Sequence, residues 1–125
     1  MEQFARAAAP GGGNQSLLVV CLCAAWCKTC AEFRDTFDSL AKSRPGAGFV
    51  WLDVEDDGAL VGDIEIENFP TLAVFRGDTP LFFGVTMPQE GVVARMLASL
   101  ARQDREPVAV PGEIADLPAT LAKRA

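Results

Sequence analysis

All four cysteines of the chain lie in one short stretch, Cys21-Leu-Cys-Ala-Ala-Trp-Cys-Lys-Thr-Cys30. Cysteine thiolates act as nucleophiles, as metal ligands and as disulfide partners, so their spacing decides which chemistry is open to them. Three interpretations are possible: a metal-binding cluster, a dithiol redox centre, or a redox centre beside cysteines that only pack as small apolar side chains. The choice between them determines the function that the sequence predicts.

The spacing makes a metal cluster the least favoured of the three. A structural zinc site usually draws two ligand pairs from segments roughly 12–20 residues apart, so that they can converge tetrahedrally. Here the two candidate pairs are nearly contiguous, and the upstream pair lies on an apolar run. The chain has no histidine, which excludes histidine-ligated zinc and both Ser-His-Asp and Cys-His catalysis. We therefore expect neither a metal nor a bound cofactor.

A strand-to-helix turn positions the downstream pair. Leu17 to Cys23 is a continuous apolar run typical of a buried strand, and helical spacing of apolar residues then extends from Cys27 to about Ser43. Cys27 should lie at the helix N-terminus, where unpaired N–H groups and the helix dipole stabilise a thiolate. Cys30 lies one turn further, close enough to close a disulfide. A further cation from Lys28 would favour the thiolate.

Cys21 and Cys23 are two positions apart on the predicted strand, so both should point to one face of the sheet. The interpretation as small buried apolar side chains fits Cys23 and, less strongly, Cys21.

The remaining pattern predicts an α/β domain with a central mixed sheet of about four strands and helices on both faces. Further strands are expected at 48–54, 71–75 and 81–85, with a hairpin turn at Gly77-Asp78. Helices are expected at 2–9, near 58–63, and from 87–90 through Leu100. The domain should span 1–103, with its core in 14–103. Residues 104–125 are interpreted as a C-terminal tail with a short amphipathic turn around Ile114–Leu121.

Composition restricts the partners. The 125 residues are 50% hydrophobic, enough for one domain with a real core. A net charge of −6 argues against nucleic acid. No apolar run is long enough for a membrane span, and the N-terminus lacks the pattern of a secretory signal. We expect a cytoplasmic protein, where clustered cysteines are more often catalytic or metal-binding than structural.

Ala24-Ala-Trp-Cys-Lys-Thr-Cys30 resembles the WCxxC motif of the thioredoxin family, and Phe69-Pro-Thr71 resembles its cis-proline loop. The resemblance covers roughly residues 14–103. It implies a thioredoxin-like fold and a protein-disulfide reductase in which Cys27 attacks a substrate disulfide and Cys30 resolves the mixed disulfide. The implied partners are protein or small-molecule disulfides and a separate reductase as electron donor.

The same resemblance assigns a substrate groove and its modulators. Trp26, Phe69, Pro70 and Thr71 would form the groove, with Pro70 in the cis form. Lys28-Thr29 stands where the family commonly has Gly-Pro, a dipeptide that tunes the reduction potential.

Two departures concern the buried ion pair of the family. Its acid corresponds to Cys21 and its lysine to Trp51 in this sequence. Cys30 would then lack its usual proton acceptor, so resolution should be slow or depend on water. Cys21 is also a candidate alternative disulfide partner for Cys30. Because the acid is lost, a catalytically weak binding or assembly module with the same fold is the competing interpretation.

Overall fold

The computed structural model describes residues 17–44, 46–55, 69–86, 89–101 and 106–124. The helices predicted at 2–9 and 58–63 lie outside these described residues.

The centre of the fold is a four-stranded mixed sheet in the order β2-β1-β3-β4. The strands are β1 (Leu17–Cys23), β2 (Gly48–Asp53), β3 (Thr71–Arg76) and β4 (Thr79–Val85). β1 pairs in parallel with β2, and β1–β3 and β3–β4 are antiparallel. Gly77, with a φ of 61°, turns the chain between β3 and β4 in a conformation that glycine adopts without strain. The predicted mixed sheet is confirmed, and β1 lies inside it with every residue buried.

Alternation along β1 divides the core into two layers. Odd-numbered residues of β1 face α1 (Lys28–Ser43) and α2 (Glu90–Leu100), where Phe33, Phe37 and Leu97 complete the apolar layer. Even-numbered residues of β1 pack in the second layer, against the C-terminal part of the chain. Both cysteines of β1 have odd numbers and therefore belong to the layer beneath α1.

The second layer includes the segment that was expected to be a C-terminal tail with a short amphipathic turn. The segment forms two short helices, α3 (Gly112–Ala115) and α4 (Leu117–Arg124). Ile114 and Leu117 are fully buried against the sheet, and Leu121 is 5% exposed. Prolines in this segment favoured a tail, but Pro118 lies in the first turn of α4, where a missing N–H costs nothing.

Two arginines attach α2 to the rest of the domain. Arg76 of β3 donates from Nη2 to the carbonyls of Leu100 and Ala101, at 3.2 and 2.7 Å. It supplies positive charge at the C-terminus of α2, whose own last turn has no basic residue. Arg44, after α1, donates to the carbonyl of Ala94 at 3.1 Å.

No helix in the described ranges is long and apolar enough to cross a bilayer.

Candidate redox site

Cys27 is the N-cap of α1, as the sequence predicts. Its backbone is extended, with φ −84° and ψ 116°, and the N–H of Cys30 donates to its Sγ at 3.4 Å. A hydrogen bond of 3.0 Å from the Cys27 N–H to the Ala24 carbonyl closes the turn between β1 and the helix. The side chain is half-buried and not disulfide-bonded. Its sulfur therefore lies beside the first backbone N–H groups of the helix, at the turn that follows β1.

The disulfide in the structure joins Cys30 to Cys23, and not to Cys27 as expected from the CxxC spacing. The two Cα atoms are 5.9 Å apart, within the usual range for a disulfide. Cys30 and Cys23 are 1% and 2% exposed, so the bond lies in the apolar layer between β1 and α1. Cys23 is thus a bonded member of the site rather than a packing residue. Strand alternation correctly predicts the face of the sheet to which the Cys23 side chain points, but it does not predict how close that side chain lies to the first turn of α1.

Cys21 is fully buried and free, and is not the partner of Cys30. Its Sγ lies 3.5 Å from the Sγ of Cys23. Because Cys23 carries no S–H in the disulfide, Cys21 must be the donor in this contact. Burial raises the pKa of the Cys21 thiol; the charge of Arg34 opposes this effect in part, and Cys27 adds to it. Cys21 therefore stays protonated at neutral pH.

The two positions implied for the lost ion pair are direct neighbours, since Cys21 is the cross-strand partner of Trp51. The guanidinium carbon of Arg34 lies 4.8 Å from the centroid of the Trp51 ring, a cation–π arrangement. The ring of Phe37 meets the same indole edge to face, at 5.4 Å. An uncharged thiol and a half-buried indole therefore occupy these two places.

The proposed groove residues come together from distant parts of the chain. Trp26, 68% exposed, meets Phe69 edge to face with ring centroids 5.6 Å apart. The Phe69–Pro70 peptide is cis, as the resemblance implies. The carbonyl of Pro70 accepts the N–H of Thr86 at 3.3 Å, and buried Thr71 begins β3.

The two residues between Cys27 and Cys30 form the start of α1, with Lys28 exposed and Thr29 half-buried. Across the described part of the chain, no group of three or more His, Cys, Asp or Glu side chains is placed to hold a metal ion.

Comparisons with known proteins agree with this geometry. The chain matches the Thioredoxin family model over residues 2–97. It is 25% identical over 84 residues to the H-type thioredoxin of Brassica campestris. The aligned region covers 67% of this chain and 68% of that protein. The germline-specific thioredoxin Deadhead of Drosophila melanogaster superposes with a TM-score of 0.60 at 26% identity, over 71% of this chain and 85% of Deadhead.

The thioredoxin of Fasciola hepatica has the same fold, with a TM-score of 0.61 at 19% identity, over 72% of this chain and 86% of that one. The family match over residues 2–97, together with the cysteine-capped helix and the cis-proline loop, leads to one assignment: the chain belongs to the thioredoxin family.

Proposed function

We propose that the protein is a thiol–disulfide oxidoreductase that reduces disulfides of protein or small-molecule substrates, with Cys27 as nucleophile and Cys30 as resolving cysteine. The observation that carries this proposal is the position of the Cys27 sulfur. It is free, half-buried and within 3.4 Å of a backbone N–H at the start of α1. A cysteine thiolate is the attacking species in disulfide exchange.

The reaction consists of two exchanges. The Cys27 thiolate attacks one substrate sulfur, the substrate S–S bond breaks, and the other sulfur leaves as a thiolate that takes a proton from water. Cys30, as a thiolate, then attacks the Cys27 sulfur of the mixed disulfide and releases the second substrate thiol. The substrate gains two electrons and two protons, and the protein is left with a Cys27–Cys30 disulfide.

Trp26 and Phe69 offer the apolar surface on which a substrate segment would lie. Trp26 is one of few large apolar side chains exposed among the described residues, and its contact with Phe69 links the CxxC turn to the cis-proline loop. Pro70 and Thr71 shape the floor of this groove. Lys28 and Thr29 tune the potential of the pair, because they start the helix that holds both sulfurs.

A separate reductase must return the Cys27–Cys30 disulfide to the dithiol form. This reductase supplies the two electrons from a dithiol of its own or through a dithiol carrier. No bound cofactor takes part in this scheme, since electrons move as thiol and disulfide. The expected setting is the cytoplasm, where the glutathione and thioredoxin systems keep thiols reduced.

A binding or assembly module is the second candidate, and one observation favours it. Cys30 is bonded to Cys23, so in this state Cys27 has no resolving partner. A lone nucleophile would capture a partner as a mixed disulfide without releasing it.

Turnover separates the two candidates. We expect the wild-type protein to accelerate the dithiothreitol-driven reduction of a peptide disulfide, and Cys27→Ala to return the rate to that of dithiothreitol alone. Lys42→Ala, an exposed change in the last turn of the same helix, is the control and should keep the wild-type rate. A wild-type rate equal to the background would favour the binding module. A fully active Cys27→Ala variant would reject Cys27 as nucleophile.

A further inference from the structure

We propose that Cys23 is a third catalytic cysteine, which takes over the disulfide from Cys27 so that oxidation ends on a buried Cys23–Cys30 bond. The proposal rests on the function proposed above, because that reaction supplies the first disulfide. It adds one internal exchange to the reaction and assigns a chemical role to a residue outside the CxxC motif.

Cys30 lies between the two competing sulfurs. On one side its N–H donates to the Sγ of Cys27 at 3.4 Å, and on the other its own sulfur is bonded to Cys23. The Cα atoms of Cys23 and Cys30 are 5.9 Å apart, so the bond fits the backbone of β1 and α1 as they stand. The sulfur of Cys27 thus lies against the backbone of Cys30, while the sulfur of Cys30 is bonded to Cys23.

The difference in burial decides which cysteine a substrate disulfide meets first. Cys23 and Cys30 are 2% and 1% exposed, whereas Cys27 is half-buried at the protein surface. A folded protein disulfide can reach Cys27 but cannot approach the sulfurs beneath the helix. The buried bond is therefore most directly made from inside, by transfer from Cys27.

The internal step is an isomerisation, so it needs no external oxidant or reductant. The Cys23 thiol loses its proton to water, and its thiolate attacks the Sγ of Cys30. The Cys23–Cys30 bond forms, the Cys27–Cys30 bond breaks, and Cys27 leaves with the electron pair as a thiolate. Cys27 is thereby returned to the free, half-buried state that it has at the N-terminus of α1 in the structure.

Cys21 acts on this step as a positioning residue. Its S–H points to the Sγ of Cys23 across 3.5 Å, so it can donate to that sulfur in both the disulfide and the thiolate form. Burial keeps Cys21 protonated and therefore able to donate.

The relay changes what the oxidised protein presents to solvent. After transfer, the disulfide is hidden in the core and Cys27 is again a free nucleophile. Reduction begins only when Cys27 attacks the Cys30 sulfur and returns the electron pair to Cys23. The oxidised form is thereby shielded from small thiols, and a reductase gains access through the surface Cys27–Cys30 isomer.

A timed trapping experiment tests the relay. Fully reduced full-length protein is mixed with one equivalent of a peptide disulfide, quenched in acid at intervals, and its free thiols are blocked with N-ethylmaleimide before digestion. Trypsin cleaves after Lys28 and so separates Cys30 from the other three cysteines. Mass spectrometry of the linked peptides, with fragmentation between Cys23 and Cys27, then identifies the partner of Cys30.

We expect Cys30 to be linked first to Cys27 and later to Cys23, with Cys27 labelled in the final oxidised protein. In Cys23→Ala the link should stay on Cys27, reducing Cys27 labelling at least about tenfold. Cys21→Ala keeps all three exchanging sulfurs but removes the S–H donor to Cys23, so Cys23–Cys30 should still form, more slowly than in wild type. Lys42→Ala, exposed in the last turn of the same helix, is the control and should follow the wild-type time course.

Three results would overturn the relay. One is a wild-type disulfide that stays on Cys27 while Cys23 is labelled throughout. Another is a Cys27→Ala variant that forms Cys23–Cys30 as fast as wild type does. The wild-type time course alone shows whether the disulfide stays on Cys27, so this test holds even if a variant fails to fold. The third is a wild-type protein that does not oxidise at all, which would reject the proposed function together with the relay. Turnover by Cys27 without transfer to Cys23 would reject the relay alone.

Discussion

At the scale of single residues, Cys21 and Trp51 are uncharged side chains at the two positions where the family resemblance implies a buried ion pair. The two are cross-strand partners, and neither needs a charged counterpart in the core. Removing only one member of a buried ion pair leaves an uncompensated charge, which costs about 3–5 kcal/mol. Replacing both avoids that cost, and the guanidinium of Arg34 packs on the Trp51 ring.

The buried thiol of Cys21 should make stability fall at alkaline pH. Its folded-state pKa is raised by burial above the ordinary value of 9.0, so the folded state keeps its proton after the unfolded chain has lost it. The contribution is thus fully present below pH 9.0 and is lost as the pH rises above that value. At one pH unit above it, the loss is about 1.4 kcal/mol.

The measurement is urea denaturation at pH 7 and pH 10 in a background with alanine at Cys23, Cys27 and Cys30, so that disulfide exchange cannot interfere. The matched protein carries Cys21→Ala as well. Equal pH dependence in the two proteins would show that Cys21 ionises as easily in the folded state as in the unfolded chain.

At the scale of elements, the C-terminal helices complete one layer of the core. Leu117 is fully buried in the layer beneath the even-numbered residues of β1. Leu117→Ala should therefore cost about 2–5 kcal/mol of unfolding free energy. Val108→Ala is the control in the same segment, since Val108 is 38% exposed, and it should change stability by less than about 0.5 kcal/mol. Chemical denaturation compares the two, and equal small losses would mean that α4 does not belong to the core.

Much of this element pattern could be predicted from periodicity, and its failures have physical causes. β1 and α1 were placed correctly because an apolar run and a helical repeat meet at a short turn. β4 starts earlier than predicted, at Thr79-Pro80, since a proline is tolerated on a strand at the sheet edge. The Cys23–Cys30 bond could not be predicted, because alternation fixes the face of a side chain but not its reach into a neighbouring helix.

At the scale of the whole molecule, the topology brings the site together at one end of the sheet. β1 ends where antiparallel β3 begins, with Leu22 opposite Thr71. The CxxC turn and the cis-proline loop must therefore meet at the same edge, and the contact between Trp26 and Phe69 shows that they do. The sequence could predict this meeting from the motif and the order of elements. The disulfide partner of Cys30 could be identified only from the packing of β1 against α1.

The most direct test of the account is a glutathione redox titration of the full chain at equilibrium, with alkylation and peptide mapping of the four cysteines. We predict one reversible two-electron transition in which Cys30 is always protected on oxidation. Its partner at equilibrium should be Cys23, with Cys27 still open to alkylation. If Cys30 stays alkylatable across the whole range of glutathione potentials, the chain has no dithiol couple at this site and the account is contradicted.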